Sequence, residues 1–253
     1  MLKDFTQERF DVIVQAGQSN AAGYGYGPIN EPYAPDNRVW YMNENDTISL
    51  AVEHVLNNSV QSNFSLSFAK KYIEAGRLEQ GRKILILRAA IGGTGFLDNR
   101  WKLTDDLYLH MMEMIRTALA LNPENRLVAL LWHQGETDAL LHASYEVHYQ
   151  HLNDLLQSVR ERFSVPTLPF VAGDFIQHWK GENAEICAPV IEAVRGVCRD
   201  CGCGAFVETD GLTSNAQQHD EHPRGKVDHI HFSRQALYEL GIRYFEKYIE
   251  IVK

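Results

Sequence analysis

The chain has 253 residues, 45% of them hydrophobic and 23% charged, which suits a globular protein with a large core and excludes a disordered or fibrous one. The formal net charge of -9 at pH 7 would repel a phosphate backbone, and lysine and arginine form no basic cluster, so nucleic acid is excluded as a partner. No apolar run is long enough to span a bilayer, so we expect no membrane association.

The amino terminus lacks the apolar run of a signal peptide, because Lys3, Asp4, Glu8 and Arg9 stand in its place. We therefore expect a cytoplasmic protein, or a mature chain from which a signal has been removed. The cysteines all lie in the last third of the chain, unlike a disulfide framework that spans a domain. We expect them to be reduced thiols.

A zinc site is a less favoured interpretation of the same region. Cys198 and Cys201 have C-x-x-C spacing, and three histidines follow them: His219, His222 and His229. A second correctly spaced pair is missing, and small cysteines of this kind are usually core residues. We therefore expect no metal and no cofactor.

Short apolar runs alternate along the chain with longer segments of helical period, which is typical of parallel strands joined by crossover helices. The runs are near-continuous in apolar residues, which indicates strands covered on both faces. No linker or repeat interrupts the pattern, so we expect a single α/β domain over residues 1–253. The predicted strands cover 11–16, 83–90, 126–132, 167–173 and 204–208. The predicted helices cover 65–75, 105–121, 144–163, 185–199 and 233–251.

The loop after the first predicted strand holds a candidate nucleophile. Ligands of doubly wound sheets bind beyond the carboxyl ends of the strands, where the run Gly17-Gln18-Ser19-Asn20 lies. Gly17 and Gly23 would let the backbone turn sharply and keep bulk away from the Ser19 hydroxyl. A serine here is equally typical of a helix N-cap, so this loop alone leaves both interpretations open.

An acid and a base lie three residues apart near the carboxyl terminus. Asp228 and His231 could meet on one turn. A carboxylate bonded to one imidazole nitrogen fixes the tautomer and leaves the other nitrogen to take a proton from a serine. His229 lies two positions from His231 and is expected to project elsewhere, as a surface or packing residue.

Two further loops offer donors for a developing oxyanion. Gly92-Gly93-Thr94 follows the second predicted strand, and Gln134-Gly135-Glu136 follows the third. The Gly93 amide and the Gln134 side chain could converge with the Ser19 amide. Two alternatives stay open: a helix-start turn for the glycines, and a capping role for Gln134, Glu136 and Asp138.

Together and in this order, the four blocks resemble those of the SGNH hydrolases, in particular their acetylxylan-esterase and sialate O-acetylesterase-like branch. The resemblance covers most of the chain. It implies a three-layer α/β/α sandwich around a flavodoxin-like, mostly parallel five-stranded sheet. It also implies a carbohydrate O-acetylesterase. The chain departs from the pattern at residues 62–65, where relatives often carry a Gly-Pro element, and at Gln134, where the broader superfamily has asparagine.

The same resemblance implies a role for each matched residue. Ser19 would be the nucleophile, His231 the general base and then acid, and Asp228 the residue that orients it. Ser19, Gly93 and Gln134 would donate to the oxyanion. The substrate would be a small-molecule or oligosaccharide acetyl ester, cleaved through an acetyl-enzyme. Activity is expected to rise through neutral pH as His231 becomes an available base. The oligomeric state is left open.

Asn20, Tyr24 and Glu136 are the candidate substrate-binding residues, although the resemblance settles no role for Glu136. Tyr24 belongs to an aromatic loop that could form a wall for a sugar, because aromatic faces suit the apolar side of a pyranose. Packing is an equally good explanation of that loop, whose other aromatic residues include Tyr26, Tyr33 and Trp40.

Three other functions compete with this one. Gly23-x-Gly25-x-Gly27 is glycine-rich like a phosphate-binding loop, but it lacks the G-x-G-x-x-G spacing and runs into Pro28. A non-catalytic carbohydrate-binding protein would keep the aromatic residues without needing the triad. A related lipase or thioesterase would act on longer acyl chains.

Overall fold

The structure, a computed structural model, describes residues 4–28, 33–56, 59–218 and 227–252. Within those ranges the strands are β1 (Arg9–Gly17), β2 (Gly25–Pro28), β3 (Val39–Met42), β4 (Ile48–Leu50), β5 (His54–Leu56), β6 (Ser59–Ser62), β7 (Arg82–Ala90), β8 (Arg126–His133), β9 (Phe170–Gly173) and β10 (Gly204–Val207). The helices are α1 (Ser19–Ala22), α2 (Phe64–Glu74), α3 (Asp106–Ala120), α4 (Glu136–Leu140), α5 (Tyr145–Arg162), α6 (Gln177–Glu182), α7 (Ala184–Asp200), α8 (Asn215–Gln218) and α9 (Arg234–Ile251).

The central sheet has the strand order β10-β9-β8-β1-β7-β3-β4. Its five predicted strands are parallel and adjacent in the order β7-β1-β8-β9-β10, which is the flavodoxin-like arrangement. The predicted fold class is therefore confirmed. The sheet is wider than the five strands predicted, because β3 adds in parallel to β7 and β4 adds antiparallel at the edge. β4, with three residues, is too short to give a periodic pattern, and sequence analysis placed Trp40 of β3 in the aromatic loop.

Helices cover both faces of this sheet. Alternate side chains of β1 therefore enter two separate cores. Ile13 belongs to the core that contains α2 and α9, whereas Val12 and Val14 belong to the core that contains α3 and α5. Every residue of β1 after Arg9 is buried, as its near-continuous apolar sequence predicts. The result is the predicted three-layer sandwich.

The carboxyl ends of the three central strands lie level with one another. Gly17 at the end of β1 pairs with Ala90 of β7 on one side and with His133 of β8 on the other. The loops that follow these residues therefore leave from the same edge of the sheet. This brings three of the four sequence blocks together, and the candidate site is built there.

A second, antiparallel sheet of order β2-β6-β5 lies outside the main one. Gly25 and Gly27 belong to its strand β2, whereas a phosphate-binding loop would open a helix at this point. A Cβ on Gly25 would lie 2.6 Å from the Leu237 side chain, so this glycine allows β2 to pack closely against α9.

In the described ranges, no helix combines the length and the apolar character needed to cross a membrane. The cysteines are free thiols, as expected.

Candidate active site

Ser19 is the first residue of α1, immediately beyond β1. The turn into the helix depends on Gly17, whose φ of 133° lies in a region that favours glycine. A Cβ on Gly17 would lie 2.1 Å from the backbone oxygen of His133, so a larger residue would collide with β8. Gly23, with a φ of 92°, ends the helix and donates its N–H to the Ser19 carbonyl at 2.9 Å. The predicted sharp turn is confirmed.

Asp228 holds the imidazole of His231. Nδ1 of His231 lies 2.9 Å from each carboxylate oxygen, and the His231 backbone N–H donates to Oδ1 at 3.1 Å. Burial acts to raise the pKa of Asp228, but hydrogen bonds from His231 and Asn215 outweigh it and hold the pKa below its usual value. The ionised carboxylate favours a proton on Nδ1, which leaves Nε2 of His231 able to accept one.

Asn20, the neighbour of Ser19, joins the amino-terminal loop to the segment that contains His231. Its Nδ2 donates to the carbonyl of Ile230 at 3.0 Å, and its Oδ1 accepts the N–H of Phe232 at 3.1 Å. These partners are the two residues on either side of His231. The loop that contains Ser19 and the segment that contains His231 are therefore held together at one edge of the sheet.

Asn215 orients the carboxylate of Asp228, a role that sequence analysis missed. Its Nδ2 donates to Asp228 Oδ2 at 2.9 Å and to the carbonyl of Tyr24 at 2.8 Å. Its Oδ1 accepts the N–H of Tyr26 at 3.0 Å. An asparagine 13 positions before its carboxylate partner stands at no recognisable spacing, so the sequence carried no signal for it.

The three predicted oxyanion donors lie in loops that leave the same sheet edge. The Ser19 N–H stands at the start of α1, where an amide has no intrahelical acceptor. Gly93 is exposed with a φ of 72°, and its N–H has no acceptor among the described residues. Gln134 differs, because its Nε2 donates to Asp138 at 2.8 Å and to the Thr94 carbonyl at 3.2 Å. Its role toward an oxyanion stays a prediction.

Asp138 connects the second loop to the third, and sequence analysis considered it only as a helix cap. Besides Gln134, its carboxylate accepts the backbone N–H groups of Phe96 at 3.1 Å and Leu97 at 2.8 Å. Burial acts to raise the pKa of Asp138, but His148 and these N–H groups hold it below its usual value. An ionised carboxylate in this position fixes the loop that carries Gly93.

Glu136 and Asn20 lie below the surface of the site. Both are fully buried, and Asn20 Nδ2 donates to Glu136 Oε1 at 2.8 Å. Burial raises the pKa of Glu136, against the opposing effect of the hydrogen bond from Asn20. Their predicted contact with substrate stays a prediction. In this structure the pair supports the loop behind Ser19.

Tyr24 is half-buried beside His231. Its ring packs edge-on against that of His231 with centroids 5.4 Å apart, and a Cβ on Gly92 would meet its hydroxyl at 3.0 Å. Tyr24 also lines a cleft of about 220 Å³ whose polar lining is Asn43, Glu44, Gln61 and Arg88. Of the other aromatic residues considered for a sugar wall, Tyr26 is buried and Trp40 packs against Phe5.

His229 points away from the pair of Asp228 and His231, as predicted. Its Nδ1 lies 3.0 Å from Glu182 Oε1, and its ring stacks on that of His178 with centroids 4.2 Å apart. The zinc site considered from the sequence does not form around it, because Cys198 is buried in the core of the sandwich. His219 and His222 lie outside the described residues.

Comparison with known proteins decides the family. The model of the carbohydrate esterases described as sialic acid-specific acetylesterases matches residues 9–250. The chain belongs to this esterase family. It is therefore a carboxylic ester hydrolase for acetylated carbohydrates, the resemblance inferred from the sequence is confirmed, and the non-catalytic binding protein is set aside.

Relatives of this esterase are distant in sequence and close in fold. The probable 9-O-acetyl-N-acetylneuraminic acid deacetylase of Escherichia coli K12 is 26% identical, over 67% of this chain and 68% of its own. The solved structure of NanS is 20% identical and superposes with a TM-score of 0.81, over 96% of this esterase and 97% of that chain. A protein of Arabidopsis thaliana, 19% identical, has a TM-score of 0.72 over 95% of this esterase and 98% of its own chain.

Proposed function

We propose that this esterase removes an acetyl group from an O-acetylated sugar, with Ser19 as nucleophile, His231 as base and Asp228 as the residue that orients the base. The observation that carries the proposal is the Asp228–His231 pair, which Asn20 holds against the loop of Ser19. An ionised carboxylate on Nδ1 makes Nε2 the basic nitrogen of the imidazole. That is the nitrogen a serine nucleophile needs.

In the proposed reaction, each of these residues has one role. Ser19 Oγ attacks the acetyl carbon while His231 Nε2 takes its proton, and the N–H groups of Ser19 and Gly93 stabilise the oxyanion that forms. The bond to the sugar oxygen then breaks, and that oxygen leaves with the proton from His231. Water gives a proton to His231 and attacks the acetyl-enzyme. Acetate leaves, and the proton returns to Ser19.

The cleft beside Tyr24 supports a sugar as the substrate in preference to a long acyl chain. It is a small cleft of about 220 Å³, and its polar groups come from Asn43, Glu44, Gln61 and Arg88. A long acyl chain would instead need an apolar groove. The Escherichia coli relative is named for a 9-O-acetylated neuraminic acid, which favours an acetylated sialic acid over acetylated xylan as the first substrate to test.

Acetate release tests the proposal. The wild type should release acetate from p-nitrophenyl acetate and from 9-O-acetylated sialic acid, and Ser19→Ala should lose on the order of 10⁶ in kcat, as a triad enzyme does without its serine. Asp228→Asn should lose about 10⁴. Ser49→Ala, which changes an exposed serine in β4, is the matched control and should keep the wild-type rate.

Two outcomes would overturn it. Equal rates for Ser19→Ala and the wild type would remove Ser19 as the nucleophile. A p-nitrophenyl octanoate turned over faster than the acetate would favour the lipase or thioesterase over the sugar acetylesterase.

A further inference from the structure

A cluster of metal-ligating side chains lies beside the segment that contains Asp228 and His231 and has no part in the proposed reaction. It consists of His178 and Glu182, four residues apart on α6, and His229, two residues before His231. One ligand atom from each side chain lies within 4.8 Å of the other two. All three side chains are partly open to solvent, so an ion can reach them.

The distances in this cluster fit a tetrahedral metal ion. Zinc bonds to nitrogen and oxygen are about 2.0–2.1 Å long, which places neighbouring ligand atoms about 3.3 Å apart. Glu182 Oε1 lies 3.0 Å from Nδ1 of His229 and 3.7 Å from Nε2 of His178. The rings of the two histidines are stacked with centroids 4.2 Å apart and nearly parallel planes. Because an imidazole lone pair lies in the plane of its ring, at least one of these partly exposed rings has to rotate for both nitrogens to bind one ion.

Ser214 orients the ring of His178 toward Glu182. Its Nδ1 lies 2.8 Å from Oγ of Ser214, which occupies that nitrogen and leaves Nε2 facing Glu182. Histidine ligands of metal ions are usually oriented by such a bond on the other ring nitrogen. Two imidazoles and one carboxylate select zinc-like ions, whereas magnesium and calcium prefer ligand sets made of oxygen.

We propose that His178, Glu182 and His229 bind a divalent transition-metal ion of the zinc class, with water completing the coordination. The ion joins α6 to the segments that hold the catalytic pair. Ser214 pairs with Phe232, and the next residue, Asn215, donates to Asp228. The metal ion thus stabilises the position of the segment that contains His231 and has no contact with the reacting atoms.

Calorimetric titration of the 253-residue protein with zinc chloride, after treatment with a chelator, tests the site without any substrate. We expect one zinc ion per chain and a rise in Tm on binding. His229→Ala and Glu182→Gln should each weaken zinc binding at least about 10-fold. His54→Ala, which removes an exposed histidine of β5, is the matched control and should bind zinc like the wild type. Magnesium chloride should give no heat of binding.

The result is interpretable even if a variant is less stable. The Tm of each metal-free variant shows whether it is folded, and Glu182→Gln keeps the shape of the side chain it replaces. Wild-type zinc affinity in both variants would overturn the proposal. So would zinc binding that is lost in Cys201→Ser, because it would place the ion on the thiols. Because binding is measured directly, a failure of the proposed hydrolysis would leave this result unaffected.

Discussion

Asn20 shows how one carboxamide can join distant parts of a chain. It bonds to Ile230 and Phe232, which are 210 and 212 positions away. A carboxamide carries both a donor and an acceptor, so a single side chain satisfies a carbonyl and an N–H at once. An aspartate at this position would keep the acceptor and lose the donor to Ile230 and Glu136. Residue 20 therefore has to be an amide to make the hydrogen bonds to Glu136, Ile230 and Phe232 together.

Glu136→Gln tests the charge state of the buried carboxyl group behind Ser19. Burial raises the pKa of Glu136, so the folded protein holds this proton more tightly than the unfolded chain does. The stability from this group is greatest below the ordinary glutamate pKa of about 4.3 and is lost as the pH rises through the higher folded value. Glutamine keeps the acceptor for Asn20 and cannot ionise. The Tm of the variant relative to the wild type should therefore increase between about pH 4 and pH 8.

The control for this prediction is Glu246→Gln, which changes an exposed carboxyl group of α9. Its Tm relative to the wild type should stay nearly constant over the same pH range. A constant difference for Glu136→Gln as well would contradict the raised pKa.

Gln134→Ala tests whether this side chain reaches the oxyanion. Loss of one oxyanion donor typically lowers turnover about 10² to 10³-fold, so kcat should fall by that factor while KM changes little. Gln150→Ala, on the exposed side of α5, should behave like the wild type. If Gln134→Ala hydrolysed p-nitrophenyl acetate at the wild-type rate, the amide would serve only its partners in this structure, Asp138, Thr94 and Gln18.

The sequence predicts the site residues that lie in short contiguous motifs and misses those that act across the fold. Ser19 lies in a contiguous block after the first strand, and Asp228 and His231 lie three residues apart, so a sequence pattern can propose them. Asn215 and Asp138 contribute through partners on other loops. No spacing links such residues, and only the closed fold brings them together.

At the scale of elements, α2 and α9 approach each other at Gly241. A Cβ there would lie 1.9 Å from the carbonyl oxygen of Phe64 and 2.1 Å from Oγ of Ser67. Gly241→Ala should therefore destabilise the protein by about 1–3 kcal/mol, although alanine normally favours a helix over glycine by about 1 kcal/mol. Urea unfolding gives the free energy that decides between these two effects.

Gly181→Ala is the matched control, because a Cβ on this α6 glycine meets no atom within 4 Å. Its free energy of unfolding should equal or slightly exceed that of the wild type. If Gly241→Ala unfolded at the same urea concentration as Gly181→Ala, the close contact of α2 with α9 would be wrong.

The long central strands were predictable, as were the four-residue strands β9 and β10, whereas the equally short β3 and the shorter β4 were not. Strands β1, β7 and β8 have eight or nine residues each, and their apolar runs mark them clearly. β4 has three residues, none of them buried, so no pattern separates it from a loop. The family resemblance implied the flavodoxin-like arrangement of the central strands, whereas the edge strands β3 and β4 depend on pairing that becomes visible only in the sheet.

At the scale of the whole molecule, one end of the sheet holds a buried cluster of charged residues and the other end holds the candidate active site. Asp11, near the start of β1, is fully buried and accepts hydrogen bonds from Arg82 at 2.6 Å, Arg126 at 2.7 Å and Tyr72 at 2.9 Å. Ser19 follows the opposite end of the same strand. At about 3.3 Å per residue, the two ends are separated by roughly 20 Å of β1. Stability and chemistry can therefore be changed independently.

Asp11→Ala should lower stability without slowing the reaction. It takes the carboxylate from Arg82, whose side chain is only 5% exposed, and breaking such a buried pair costs about 3–5 kcal/mol. Urea unfolding measures this loss, and kcat for p-nitrophenyl acetate, taken where the variant is fully folded, should match the wild type. Asp36→Ala breaks a pair with Arg38 that is more open to water, so its loss should be much smaller. A fall in kcat of the folded Asp11→Ala protein would mean that the two ends of the sheet are coupled through β1.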